Sequence, residues 1–121
     1  MYEVVGSYTP DKLIAGDKVP TQVKGVMIAA GQGVLKRGSV IGIIDADGKG
    51  KLAAKAAVDG SKVAKYILAD DVDTTSAVVA QCYESGLFNR QALIFAAGNT
   101  AADHEDNLRQ YGIFLNDNIA Y

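Results

Sequence analysis

The chain contains no tryptophan, one cysteine, one histidine and two prolines in 121 residues. A single cysteine, Cys82, excludes an internal disulfide; within the run Ala77–Val78–Val79–Ala80–Gln81–Cys82–Tyr83 it reads as a small buried hydrophobe. No apolar run approaches the roughly 18 residues that span a bilayer, and the first residues lack a basic-then-apolar leader pattern. A soluble protein made in the cytoplasm is therefore expected. Twelve Lys and Arg against 14 Asp and Glu give a net charge of −2, with the basic residues scattered, which argues against a nucleic-acid or membrane partner. Two prolines against 13 glycines, where averages are about 5% and about 7%, suit many tight turns between short strands.

What is present organises around Leu35 to Asp73. Val40 to Ile44 is a β-branched run of strand length, bounded by Gly38 and by Asp47–Gly48. Asp47–Gly48 tolerates the positive φ of a hairpin turn, so Lys51–Leu52–Ala53 can return beside the first strand. Val63 to Ala69 supplies a further strand, ending on the acidic turn Asp70–Asp71–Val72–Asp73. Together these form a sheet nucleus.

Val26, Ile28 and Ala30 predict a short strand before it. Residues 53–61 predict a loop after the hairpin. Ser76 to Tyr83 predicts another strand, followed by a turn at Ser85–Gly86, with Leu87–Phe88 extending it. Thr100–Ala101–Ala102–Asp103 has capping-box spacing and Gly112 can take the C′ position. One helix from Ala101 to Tyr111 follows, with Ala101, Leu108 and Tyr111 on one face. Ile113–Phe114–Leu115 predicts a final strand. The residues thus imply a mainly β (α+β) chain, a small β-rich, barrel-like domain over residues 21–121 with one short C-terminal helix.

Residues 1–20 differ. Val4, Val5, Leu13, Ile14 and Val19 follow no sustained period and are interrupted by Gly6, Pro10, Gly16 and Pro20. Ordering each residue costs about 1–2 kcal/mol of backbone entropy, while only these five aliphatic side chains return roughly 1.5–3 kcal/mol each on burial. The segment is an extended N-terminal arm that cannot order itself and must dock on its own sheet or on a partner.

The candidate chemical motifs reduce to turns and caps. Asp103–His104–Glu105–Asp106 groups the histidine with three carboxylates, but consecutive helical residues point about 100° apart, so a solvated helix N-terminus is expected rather than a metal site. Asp45–Ala46–Asp47–Gly48–Lys49–Gly50 begins like a calcium loop, yet Lys49 and Ala56 stand where acidic ligands are needed. Gly33 to Ser39 lacks the lysine of a phosphate loop. Asp70, Asp71 and Asp73 have no second acidic cluster beside them, and Arg37 and Arg90 read as solvated. Cys82 or a serine with His104 matches no nucleophile motif. No catalytic residue, cofactor or metal is expected. A small-molecule or sugar-binding β-barrel module remains an alternative, and a small hydrolase using Cys82 and His104 a weaker one.

The ordered set Leu13–Ile14–Ala15–Gly16, Leu35 to Gly42, Asp59–Gly60–Ser61, Ile67 to Asp73, Gly86–Leu87–Phe88–Asn89 and Gly112–Ile113–Phe114 resembles the lambda-type bacteriophage head decoration protein family. The resemblance implies a homotrimer, made in the host cytoplasm, that sits on the outer surface of the expanded head at three-fold positions. There it stabilises the shell of major capsid protein against packaged DNA, without catalysis. It also implies that the arm engages the shell, by adding a strand to an exposed sheet edge. Val4, Val5, Leu13 and Ile14 are the candidate contacts.

Overall fold

The computed structural model describes residues 13–16 and 20–116. Its elements are β1 (Ile14–Gly16), β2 (Gln22–Ile28), β3 (Val34–Leu35), β4 (Val40–Ile43), β5 (Gly50–Leu52), β6 (Ala64–Leu68), β7 (Val72–Asp73), β8 (Val78–Asn89), a 3₁₀ turn at Arg90–Ala92, α1 (Ala101–Gln110) and β9 (Ile113–Asn116). The expected hairpin is present. β4 pairs antiparallel with β5, Ile41 opposite Leu52 and Ile43 opposite Gly50, across a turn in which Gly48 has φ +71°. β6 pairs antiparallel with the other edge of β4.

Five strands close on themselves. β8 pairs antiparallel with β2, β2 meets β5 at Ile28 opposite Gly50, and β6 returns to β8 with Ile67 opposite Tyr83 and Leu68 opposite Cys82. The result is a small barrel in the order β8-β2-β5-β4-β6. Val26, Ile28, Leu35, Ile41, Leu68, Ala80 and Cys82 fill one apolar cluster. Alternation along each strand sends Ile67, Val40 and Tyr83 to the opposite face, where they join Leu13, Phe88, Leu108, Ile113 and Leu115 under α1 and β9.

β2 begins earlier than its apolar alternation predicts, because pairing with β8 extends it back to Gln22. The predicted turn at Ser85–Gly86 is instead the middle of a 12-residue strand. Gly86 has φ +148°, a conformation that glycine adopts without a Cβ clash, and a Cβ there would stand 2.9 Å from the Phe88 ring. The strand bends at this point rather than reversing: the register against β2 shifts between Tyr83 and Ser85. Before the bend β8 is a barrel strand; after it, β8 pairs antiparallel with β1 and parallel with β9. The acidic turn is also partly strand, since Val72 and Asp73 pair with Leu35 and Val34.

α1 spans Ala101–Gln110 as expected. The Asp103 carboxylate accepts the Thr100 backbone N–H at 2.7 Å, occupying one of the donors that a helix start leaves open, and Gly112 follows with φ +85°. His104 corrects the expectation of a solvated helix start: its side chain is completely buried. It lies three residues after Ala101 and four before Leu108, on the face that the helix turns toward the barrel.

Candidate functional site

The arm joins the fold at Leu13. This side chain is 1% exposed and packs in the cluster beneath α1 and β9, and its carbonyl accepts the Asn89 N–H at 2.7 Å. Ile14 stands opposite Phe88 and remains 36% exposed. Of the four predicted contacts, then, Leu13 faces inward as an anchor and Ile14 lies at the surface beside it, while Val4 and Val5 lie outside the described residues. β9 ends against the same stretch of β8, with Asn116 opposite Asn89. Both ends of the described chain therefore meet at the Asn89 end of β8.

The polar groups singled out as candidates for chemistry are engaged locally. Arg37, expected to be solvated, is half-buried; its guanidinium donates to the Ala69 carbonyl and the Tyr83 hydroxyl, both at 2.7 Å, and its backbone N–H donates to Asp71 at 2.7 Å. Arg90 is likewise half-buried and bridges to Glu105 at 2.7 Å. Arg37 ties its loop to the barrel, and Arg90 ties the 3₁₀ turn to α1. Asp59 accepts the Ser61 hydroxyl at 2.6 Å and the Ser61 N–H at 3.0 Å. Those bonds, with Lys51 at 3.2 Å, lower its carboxyl to about 2. Asp73 accepts the hydroxyl and N–H of Thr75 in the same way and is lowered for the same reason. Among the described residues no three acidic, histidine or cysteine side chains come together as a metal site.

Cys82 and His104 do not form a pair. Cys82 lies in the barrel's apolar cluster, where burial pushes its thiol up to about 12 and leaves almost no thiolate at neutral pH. His104 stacks on Phe95, which packs against the other cluster. Among the described residues no helix is long and apolar enough to cross a membrane.

A family model, that of the bacteriophage lambda head decoration protein D, matches residues 4–113. The chain belongs to this family. Comparison with curated proteins gave no match. The head decoration match begins at Val4, so it takes in the arm as well as the barrel, and ends at Ile113, the first residue of β9. The family is one of phage head components, and Val4, Val5, Leu13 and Ile14 all fall within the matched region.

Proposed function

We propose that this chain assembles as a homotrimer on the outer surface of the expanded phage head, at three-fold positions, and stabilises the shell against the pressure of packaged DNA. The observation that carries this reading is the family match over both the arm and the barrel. In this reading the residues before Leu13 reach the major capsid protein and add a strand to one of its sheet edges, gaining main-chain hydrogen bonds of roughly 0.5–1.5 kcal/mol net each. Val4, Val5 and Ile14 supply the side-chain contacts, and Leu13 holds the root of the arm to the barrel. Three arms on one trimer raise the effective concentration of the second and third contacts, so that weak single contacts suffice.

Co-sedimentation with expanded heads tests the role. The intact protein is expected to pellet with them, and a protein lacking residues 1–11 to remain in the supernatant. Tight binding by the truncated protein would move the contact from the arm to the folded domain.

A further inference from the structure

His104 is the chain's single histidine, and its ring is fully enclosed. It lies parallel to the Phe95 ring, with centroids 5.8 Å apart and planes within 6°. Nε2 is 2.9 Å from Asn99 Oδ1. That oxygen also accepts the Lys55 backbone N–H at 2.8 Å, while Asn99 Nδ2 donates to the Ala97 carbonyl. Asn99 therefore presents an acceptor to the ring, and Nε2 carries the proton. Nδ1 is buried and has no hydrogen-bond partner among the described residues. One side chain thus links three pieces: α1, the 95–100 segment and, through Asn99, the loop that follows β5.

We propose that His104 is a proton-operated latch, whose protonation releases α1 and the loop at Lys55 from the barrel and loosens the seat of Leu13. A proton on Nδ1 would create a buried cation whose new N–H faces no acceptor, a costly arrangement relieved only by opening toward water. The surrounding charges do not offset it. On the helix, Asp103 is nearby but already accepts from Thr100 and faces Lys55 Nζ at 3.6 Å, and Glu105 is taken up by Arg90. Asp106 and Arg109 lie on the same helix at more exposed positions. From the other elements, Lys55 of the loop acts on the ring with a positive charge, while Lys65 of β6 lies over the Tyr111 ring and Arg90 of the 3₁₀ turn is held by Glu105; β9 brings no ionisable side chain. Burial accordingly lowers the ring's affinity for a proton, with Asp103 opposing and Lys55 reinforcing the effect. Leu108, one turn on, packs in the same cluster as Leu13, so the helix and the root of the arm share one seat.

Because the folded ring binds its proton more weakly than the unfolded one, the stability it confers is complete above about pH 6.5. It declines as pH falls from there toward the lowered folded value. Within that window the unfolding constant is expected to rise up to tenfold per pH unit, the limit for one proton. The chain has no other histidine, and comparison with His104→Gln separates this ring from the carboxylates that begin to protonate near pH 5. Its effect on head binding rests on the proposed decoration role, but the following experiment uses the free protein, so either can fail without the other.

Urea unfolding of the full chain at pH 7, 6 and 5 should show this rise, and His104→Gln, which retains a donor for Asn99, should show none. NMR titration of the histidine ring is the second measurement and requires no variant: a midpoint clearly below 6.5, with Nε2 protonated, is expected. Amide exchange corrected for intrinsic rates should accelerate at Lys55 and Leu108 relative to Ile41 and Ile67 as pH falls. A ring midpoint at or above 6.5, an unchanged slope in His104→Gln, or equal acceleration at all four amides would overturn the latch.

Discussion

Gly42 shows how one missing atom decides a pairing. A Cβ at this position would stand 2.1 Å from the Ser61 carbonyl oxygen, where β4 passes the chain entering β6 and its register shifts. The obstacle is backbone, which cannot swing aside as a side chain can. Gly42→Ala is therefore expected to destabilise the protein by roughly 2–4 kcal/mol, read as a lower urea midpoint. Ser61 also sets the acidity of Asp59. Ser61→Ala should raise the Asp59 carboxyl from about 2 toward its ordinary 3.8, visible in a carboxyl-carbon NMR titration. The Asp59 contribution to stability is present above about pH 3.8 and is lost as pH falls toward 2, so the variant should lose part of this acid dependence. At Leu13, truncation to alanine removes a fully buried side chain and should cost about 2–5 kcal/mol.

At the level of elements, the strands with local signals were legible, and those defined by distant partners were less so. β4, its Asp47–Gly48 turn and β5 follow from apolar run and turn chemistry. α1 follows from its cap and from Gly112. The bend in β8 does not, because Ser85–Gly86 signals a departure from ordinary φ but not whether the chain reverses or continues. Pairing to β1 and β9, far away in sequence, makes it continue. His104 carried a usable signal in its spacing from Ala101 and Leu108, but its charge neighbours in sequence pointed outward and concealed it. The cap on this helix gives a test: Asp103→Ala removes the acceptor for Thr100 N–H and the partner of Lys55, and should cost about 1 kcal/mol. The arm divides similarly. Removing residues 1–11 should leave the urea midpoint unchanged. Removing 1–20 also takes away β1 and Leu13, and should lower the midpoint by at least as much as Leu13→Ala does.

For the whole molecule, light scattering at micromolar concentration should give the mass of three chains, and a chelator should leave the melting temperature unchanged. The long strand β8 has a further consequence, for the order in which the protein is built. It partners β1, β2, β6 and β9, elements drawn from residue 14 to residue 116. On the ribosome, β4, β5 and β6 can pair as they emerge, but β1 and most of β2 must wait for residues 78–89. Until then the three-stranded sheet β5-β4-β6 carries open edges on both sides, and the nascent chain is at its most prone to pair with the wrong neighbour.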